Sequence, residues 1–338
     1  MDLQPGMRVG AGLELRRPLG EGAMGSVWEA RRPEGERVAV KFASKAVVTD
    51  PTDRARFTRE ATLANKLSSP HVVEGFGFGL TDDGIPFIVM ELLVGETLAD
   101  RLRREKVIPP SVVVTIVEQM ADALDEAHEL GVLHRDIKPA NVFLVGRAGE
   151  TFVKVLDFGM AKRTDTLNPT VVTEAGTSVG TPDFMSPEQI RTEKELDGRT
   201  DVWSLGVLVY RCLIGRLPFV SSTFAGLCVA ICEARYKPPS QLAPNLPRAL
   251  DRWFARCLSV ERDGRFATAG EATRALEIAL GLAEEPSVAE VSLSDPDVAA
   301  ISTPLPGPRY RRLDVMIAVL FGVAAFCMGA LVATLDGW

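Results

Sequence analysis

The chain is poor in the residues that build disulfide frameworks and metal sites. It has five cysteines and three histidines among 338 residues, and no two cysteines form a C-x-x-C motif. Cys228 and Cys232 lie four residues apart in an apolar stretch, where a helix would place them on one face. With no His or Cys cluster nearby, this favours core packing over a zinc site. An odd number of cysteines cannot all pair, so we expect a reduced, cytosolic environment for the soluble part.

The chain also lacks a basic excess and an N-terminal apolar segment. Its net charge is −7 and its pI is about 5.3, which argues against nucleic acid as a partner because phosphate binding needs a basic face. The first residues, "MDLQPGMRVGAGLELRR", contain no apolar run typical of a secretory signal peptide. The hydrophobic content of 46% and charged content of 25% are those of a globular protein.

The N-terminal part of the chain is predicted to be rich in strands. Short β-branched runs between residues 13 and 90 ("SVWEARR", "RVAVKF", "PFIVME") are separated by glycines and charged turns. One interval, "PTDRARFTREATLANKLSS", places Phe57, Ala61 and Ala64 at helical spacing. We assign residues 1–12 to an N-terminal extension.

From about residue 97 to residue 282 the pattern is mostly helical. "PSVVVTIVEQMADALDEAHELG" is a long amphipathic run, and "RTDVWSLGVLVYRCLIG" is apolar on nearly all sides, which predicts a central buried helix. "TAGEATRALEIALG" begins with Thr268 and Glu271 at the spacing of a capping box and ends at Gly281.

The composition changes after Leu282. Residues 283–308 are acidic, rich in Pro and Ser and without a clear period, which is typical of a disordered linker. A basic segment follows at residues 309–314. Residues 315–335 carry no charge, and only residues 336–338 follow them. We see no internal repeat.

The first motif with chemical meaning is "LGEGAMGSVWEA". Gly20, Gly22 and Gly25 form G-x-G-x-x-G, in which glycines let the backbone fold closely over phosphates. A dinucleotide-binding fold uses the same spacing before a helix. Here the residues after Gly25 alternate as a strand does, which predicts a β-hairpin over the phosphates instead.

A lysine and a glutamate follow at positions suited to nucleotide binding. Lys41 ends "VAVK" among apolar neighbours, where a buried ammonium needs an anionic partner. ATP phosphates and the carboxylate of Glu60, in "FTREA", would supply two. Taken singly, each residue also fits a surface lysine on an edge strand or a solvated helical glutamate.

Three further motifs bring a family resemblance. "HRDIKPANVFL" begins at His134, "KVLDFGMAK" follows thirteen residues after Asn141, and "GTPDFMSPEQ" begins at Gly180. With the glycine motif, Lys41 and Glu60, their order resembles that of the protein kinase superfamily over about residues 13–282. The "HRDIKPAN" lysine and "GT" resemble the serine/threonine branch, and "GTPDFMSPEQ" resembles the bacterial Hanks-type kinases. The resemblance implies an α+β fold of two lobes, a small β-rich N-lobe and a larger helical C-lobe.

The resemblance implies roles for the catalytic residues, with ATP and Mg²⁺ as cofactors and Mn²⁺ as an alternative ion. Asp136 would orient the substrate hydroxyl and accept its proton, and Lys138 would neutralise charge on the γ-phosphoryl group. Asn141 and Asp157 would bind Mg²⁺. Lys41 would contact the α- and β-phosphates and pair with Glu60.

The implied adenine pocket consists of residues on both sides of the base. Its apolar walls would be Leu19, Val27, Ala39, Met90 and Phe143. The backbone of Glu91 and Leu93 would supply hydrogen bonds to adenine, and Met90 would be the gatekeeper. Phe143 stands where many relatives carry Leu, so we expect a bulkier pocket floor.

Other residues have implied structural roles. Asp201 would anchor the catalytic loop, Thr181 would lie near Asp136, and Arg265 would pair with Glu188 in a buried ion pair. An exposed loop arginine is the alternative for Arg265. Ser186 replaces the family's common Ala, which we expect to be harmless.

Regulation by phosphorylation is the next implication. Arg135 would face the activation loop and bind a phosphate there. We expect autophosphorylation at Thr173, with Thr170 and Thr177 as the next candidates. Thr and Ser are common in flexible loops, so their presence alone does not single out one site.

The uncharged segment 315–335 has the length of a transmembrane helix. Twenty-one residues rise roughly 30 Å, the thickness of the hydrocarbon layer. Arg309, Arg311 and Arg312 precede it, so the positive-inside rule predicts a cytoplasmic kinase domain on a single-pass inner-membrane anchor. Lipid would then be a partner, and anchoring would favour a transient homodimer for trans-autophosphorylation. Gly322 and Gly329 would form a helix-pairing face, or else face lipid.

Two other functions compete with an active enzyme on protein substrates. A membrane-anchored pseudokinase would bind partners without transferring phosphate, but such proteins typically lose residues equivalent to Lys41, Asp136 or Asp157. A kinase-fold enzyme for small molecules is disfavoured by "GTPDFMSPEQ", the segment that receives a protein substrate in relatives. The sequence therefore predicts a non-specific serine/threonine protein kinase.

Overall fold

The computed structural model describes residues 3–10, 12–22, 25–49, 57, 66–147, 150–158 and 182–284. The chain divides into two compact units, Met1–Glu285 and Pro286–Trp338, and every described residue belongs to the first. The predicted helix within residues 51–69 and the segments 285–338 lie almost entirely outside the described residues. Among the residues that are described, no helix is both long and apolar enough to cross a bilayer.

The N-terminal lobe is a curled antiparallel sheet of six strands. These are β1 (Arg8–Val9), β2 (Leu13–Gly22), β3 (Gly25–Arg31), β4 (Arg37–Ala43), β5 (Gly75–Leu80) and β6 (Pro86–Glu91). They are arranged in the order β1-β2-β3-β4-β6-β5. The predicted strands of this region are confirmed. A short helix, α1 (Lys45–Thr49), follows β4.

The curl of the sheet brings its two edge strands toward one aromatic ring. A Cβ atom built at Gly10, next to β1, would lie 2.5 Å from Phe87 Cζ, and one built at Gly79 of β5 would lie 2.6 Å from the same atom. Val9 is buried and packs in the core of this lobe. The segment that we assigned to an N-terminal extension therefore contributes a strand to the sheet.

The C-terminal lobe is mainly helical. Its helices are α2 (Leu98–Glu105), α3 (Pro110–Glu129), α4 (Pro187–Ile190), α5 (Arg199–Ile214), α6 (Phe224–Cys232), α7 (Ala249–Cys257) and α8 (Ala269–Leu280). Short 3-10 turns lie at Pro139–Asn141, Pro182–Phe184, Pro239–Gln241 and Arg262–Gly264. The three helices that the sequence predicts for this lobe correspond to α3, α5 and α8.

Helix α5 is the centre of this lobe. Thirteen of its sixteen residues are buried, which agrees with the prediction from its nearly uniform apolarity. It contacts α3, α7 and α8. Each of these surrounding helices packs one apolar face against it and leaves its other face toward solvent. Asp201, which the sequence predicts as the anchor of the catalytic loop, lies in this buried helix.

Helix α8 begins and ends as predicted, with one difference at its cap. The Thr268 hydroxyl accepts from Glu271 N–H at 3.1 Å, and Gly281 ends the helix with a left-handed φ of 70°. The Glu271 carboxylate, however, accepts from Ala267 N–H at 2.7 Å. Only half of the predicted capping box is therefore formed.

A second small sheet belongs to the C-terminal lobe, because its buried residues pack in the core of that lobe, and it lies where the two lobes meet. It consists of β7 (Gly95–Thr97), β8 (Val142–Arg147) and β9 (Glu150–Val155). Val155 N–H donates to His71 O at 2.7 Å, and Val72 forms a bridge with Val155. These contacts join β9 to the segment that leads into β5, and they position the walls of the cleft described next.

Candidate active site

The glycine motif lies on a β-hairpin, as predicted. Strands β2 and β3 pair up to Gly22 and Gly25. A Cβ atom at Gly25 would lie 1.7 Å from Phe42 O, at a φ of +140°. No side chain fits there, so this position needs glycine for its close approach to β4. Gly20 and Gly22 have open space instead.

A cleft of about 350 Å³ lies beneath this hairpin. It brings together nine of the sequence-predicted nucleotide-binding residues: Leu19, Gly20, Val27, Ala39, Lys41, Met90, Glu91, Leu93 and Phe143. Gly22 and Gly25 do not line it. The walls are mostly apolar, which suits a flat heteroaromatic ring held by a few polar groups.

Several wall residues were missed by the motif analysis. They are Val72, Val73, Gly75, Ile88, Leu92, Thr97, Val155, Leu156 and Phe158. Phe158 and Leu156 lie next to Asp157 in "LDFG", so their proximity to that motif was a usable signal. Val72 and Val73 belong to no motif, and they reach the cleft only through the pairing with β9.

Lys41 lies at the inner end of the cleft. Its side chain is 8% exposed, and its ammonium is 2.6 Å from Asp157 Oδ1. This ammonium and carboxylate come from β4 and from the segment after β9, which are 116 residues apart in the chain. The sequence did not predict this contact with Asp157, and Glu60, the carboxylate that it did predict as the partner of Lys41, lies outside the described residues.

The catalytic-loop residues form a compact polar cluster. Lys138 Nζ donates to Asp136 Oδ2 at 2.6 Å. The Asn141 amide donates to Asp136 O at 2.8 Å and to Asp136 Oδ2 at 3.2 Å. The 3-10 turn Pro139–Asn141 brings Asn141 back toward Asp136. Both charged side chains keep partial exposure, so a substrate and a phosphate can reach them.

Asp201 supports this loop from α5. Its buried carboxylate accepts from His134 N–H at 2.9 Å and from Arg135 N–H at 2.8 Å. His128 Nε2 lies 2.8 Å from the same carboxylate. Arg135 has a left-handed φ of 64°, a strained conformation that these bonds hold in place. His128, on α3, was not named from the sequence.

Burial and hydrogen bonding act in opposite directions on the Asp201 carboxyl. Burial by itself would raise its pKa, but the hydrogen bond and charge of His128 and the bonded Arg135 N–H outweigh it. The pKa is therefore lowered from its ordinary value, and Asp201 is ionised at neutral pH. The ionised carboxylate is a stronger acceptor for the two backbone N–H groups than the neutral acid would be.

Glu188 and Arg265 are brought together in the interior. The guanidinium forms two bonds to the carboxylate, of 2.7 and 2.8 Å, and the side chains are 0% and 2% exposed for Arg265 and Glu188. Thr200 donates to the same carboxylate at 2.8 Å. Burial alone would raise the pKa of Glu188, but Arg265 and Thr200 lower it.

Ser186 has a specific role in this structure. Its hydroxyl accepts from Gln189 N–H and its backbone N–H donates to the Gln189 side chain, which caps α4. Gln189 Nε2 also donates to Arg135 O at 2.9 Å. The serine that replaces alanine therefore caps the helix whose Gln189 contacts the catalytic loop.

The remaining predicted sites lie outside the described residues. These are Glu60, Thr170, Thr173, Thr177 and Thr181. Arg135, the predicted phosphate ligand, is described and exposed.

Comparisons with known proteins agree with this geometry. A family model described as protein kinase domain matches residues 13–276. The curated serine/threonine-protein kinase pkn3 of Myxococcus xanthus is 40% identical over 256 residues, which are 74% of this chain and 47% of that protein. The serine/threonine-protein kinase PknE of Mycobacterium tuberculosis is 35% identical over 295 residues, 87% of this chain and 50% of that protein.

A solved structure shows the same fold. The crystal structure of the PknI kinase domain from Mycobacterium tuberculosis is 29% identical, with a TM-score of 0.65. The match covers 82% of this chain and 99% of that one. The chain spans about half the length of the curated relatives that it matches. From the family match, the shared bilobal fold and the site geometry, we conclude that this chain belongs to the protein kinase family.

Proposed function

We propose that the chain is an active serine/threonine protein kinase, which transfers the γ-phosphoryl group of ATP to serine and threonine hydroxyls of proteins. The observation that carries this proposal is that the Lys41–Asp157 pair lies beside the cluster of Asp136, Lys138 and Asn141. Leu156 N–H, next to Asp157, donates to Asn141 O at 2.9 Å and joins the two groups. A residue set complete for phosphoryl transfer also disfavours the pseudokinase alternative. The names of the curated relatives support the serine/threonine assignment.

The roles that we assign follow from the charges of the reaction. The substrate hydroxyl oxygen bonds to the γ-phosphorus while the bond from that phosphorus to the β–γ bridging oxygen breaks, and ADP leaves. Asp136 orients the hydroxyl and accepts its proton, and Lys138 balances charge on the transferring oxygens. Lys41 holds the α- and β-phosphates. Positioning and charge neutralisation supply most of the rate.

Asn141 and Asp157 fit a Mg²⁺ site. The Asn141 amide nitrogen is turned to Asp136 O, and its Oδ1 has no hydrogen-bond partner among the described residues. An amide oxygen and a carboxylate are ligands of the kind that hard divalent cations prefer. When bound, the ion would offset the negative charge of the phosphates beside Lys41.

The cleft also supports an assignment for the adenine base. Val27 and Ala39 would contact one side of the ring and Phe143 the other, with Leu19 at the opening. Backbone groups of Glu91 and Leu93 would bond its edge. Because Phe143 is larger than leucine, we expect the pocket to accept bulky purine analogues poorly.

The direct test is phosphate transfer by the full chain in detergent micelles. Wild-type chain and Asp136→Asn are incubated with Mg²⁺ and labelled ATP, and the labelled residues are identified. We expect label on Ser and Thr in the wild type alone. A wild type that binds ATP but incorporates no label, in micelles and in liposomes, would refute the enzyme and favour the pseudokinase, which binds partners without transferring phosphate.

We propose activation-loop phosphorylation as the regulatory step. This proposal is supported by Arg135, whose side chain is exposed and which directly precedes Asp136 in the sequence. Its guanidinium could bind a phosphate group on the activation loop. Thr173 is our first candidate, with Thr170 and Thr177 next. Mass spectrometry of active enzyme with all three threonines unmodified would refute this assignment.

We also propose that residues 315–335 anchor the kinase to the inner membrane. The support is the uncharged length of the segment and the arginines before it. Anchoring raises the local concentration of chains and favours transient homodimers that phosphorylate one another. We expect the full chain to sediment with membranes and a chain ending at residue 308 to remain in the supernatant. Equal partitioning of the two would contradict the anchor.

A further inference from the structure

Lys154 occupies an unusual position for a charged residue. It lies on β9, three residues before Asp157, and its side chain is only 12% exposed. Its ammonium donates to Glu91 Oε1 and, at 3.0 Å, to Val72 O. The proposed phosphoryl transfer uses none of these side-chain contacts.

The partner carboxylate is equally constrained. Glu91 ends β6, and its Oε1 accepts from Glu74 N–H at 2.8 Å as well as from Lys154. Its own N–H donates to Glu74 O at 3.0 Å. One carboxylate oxygen therefore joins the end of β6, the segment before β5 and, through Lys154, strand β9 of the other lobe.

These contacts lie directly behind the wall of the cleft. Glu91 and Val72, which bond to Lys154, both line it, and so does Phe143, which is the register partner of Lys154 on β8. Lys154 itself does not line the cleft. Lys154 can therefore affect a bound ligand only through Glu91 and Val72, the two lining residues to which it bonds.

We propose that Lys154 is a positioning residue for the nucleotide, a cross-lobe lock that fixes the Glu91 backbone at the adenine edge. The inference rests on the proposed function, because that function places adenine in this cleft. Since the pair is mostly buried, water screens it little and does not replace the lost bonds. Without the lock, binding must first order the wall, which lowers affinity and speeds release.

An ordinary stabilising ion pair would behave differently. Its loss would lower the unfolding temperature of the free protein without changing the rate at which nucleotide leaves. A lock holds the cleft wall in its binding conformation both before and after nucleotide binds, so its loss also raises the dissociation rate. The two effects are separable by measuring both quantities on the same variants.

The test is fluorescent mant-ADP binding to the full chain in micelles, with dissociation followed by stopped flow. Lys154→Met keeps the length of the side chain without its charge, and we expect its Kd and dissociation rate to rise about fivefold. Glu91→Gln removes the counter-charge and should raise both quantities in the same direction, and the double variant should add little to Lys154→Met because both changes act on one interaction. Lys154→Arg should recover most of the affinity.

Lys194→Met, on an exposed loop, is the matched control and should bind as wild type does.

The outcomes separate this inference from the proposed function. Unchanged Kd and dissociation rate in both Lys154→Met and Glu91→Gln would overturn the lock, whether or not the chain transfers phosphate. Full additivity in the double variant would also overturn it. If Lys154→Met does not fold, Glu91→Gln, which keeps an acceptor for Glu74 N–H, decides alone. If Kd and the dissociation rate rise in Lys154→Met but the wild type transfers no phosphate, the positioning role of Lys154 stands and the proposed enzyme activity is refuted.

Discussion

Arg265 and Glu188 show what one buried ion pair does for this fold. The guanidinium bonds to Glu188, and to the carbonyl groups of Ser259 and Arg199. It also lies 4.9 Å from the centre of the Trp203 ring. A single side chain thus connects α4, α5 and the turn before α8. Removing it leaves a carboxylate without its counter-charge in the interior.

We predict that Arg265→Met lowers the free energy of unfolding by about 3–5 kcal/mol, since Glu188 is then buried and unpaired. Arg262→Met is the matched control. Arg262 contacts Asp197 and Glu193 at a side-chain exposure of 30%, so its loss should cost about 0–1 kcal/mol. Urea unfolding followed by tryptophan fluorescence measures both. Equal losses for the two variants would contradict the role given to Arg265.

The buried carboxylates also predict how stability depends on pH. The pKa values of Asp201 and Glu188 are lowered in the folded protein, so the unfolded chain binds more protons in acid. Their stabilisation is complete above the unfolded pKa values, about 3.9 and 4.3. It is lost as pH falls below these values toward the folded ones.

We therefore expect the free energy of unfolding to fall steeply between about pH 4.5 and pH 3. Asp201→Asn should be less stable at pH 7 and should show a shallower slope in that range. The measurement is a urea titration at each pH. A wild type whose stability is flat down to pH 3, or a variant with an unchanged slope, would contradict the direction of these shifts.

At the scale of elements, the hairpin β2–β3 depends on one close approach. Gly25 pairs with Ala43 of β4, and its α-carbon is too near Phe42 O to carry a side chain. The strand that closes over the cleft is therefore seated on the strand that carries Lys41. Any displacement at Gly25 moves the hairpin relative to the lysine.

We predict that Gly25→Ala costs about 1–3 kcal/mol of stability through this clash and weakens ATP binding. Gly146→Ala is the comparison, because a Cβ there would meet only Val94 O at 3.6 Å, an ordinary contact. Calorimetric titration with a non-hydrolysable ATP analogue gives the affinities. If Gly25→Ala binds as Gly146→Ala does, the hairpin does not depend on that approach.

At the scale of the whole molecule, the proximity of several predicted site residues followed from the sequence, and many of their contacts did not. Asp136, Lys138 and Asn141 lie within one short motif, so their proximity follows from local sequence. Lys41 and Asp157 are far apart in sequence, and only the family resemblance relates them. The contacts of Lys154 with Glu91 and Val72 depend on strands from both lobes, and no spacing in the sequence indicates them.

The fold shows the same division. Helices α3 and α8 were predictable from their apolar periodicity and end residues, and α5 was predictable from a run that is apolar on nearly all sides, because these signals are local. The strand at Arg8–Val9 was not, because two residues carry no period and the burial of Val9 depends on pairing with β2. Cap details such as the Glu271 bond to Ala267 depend on the exact chain direction before the helix.

The clustered polar groups are proposed to transfer phosphate, and this activity is open to direct measurement. The most direct measurement is kcat for a serine peptide alongside the Kd for ADP, in wild type and in Asp136→Asn. We predict that kcat falls by at least about 10²-fold while the Kd changes little, because Asp136 acts on the substrate hydroxyl rather than on the nucleotide. A variant that keeps wild-type kcat, or a wild type that binds ADP but turns over no peptide, would contradict the account.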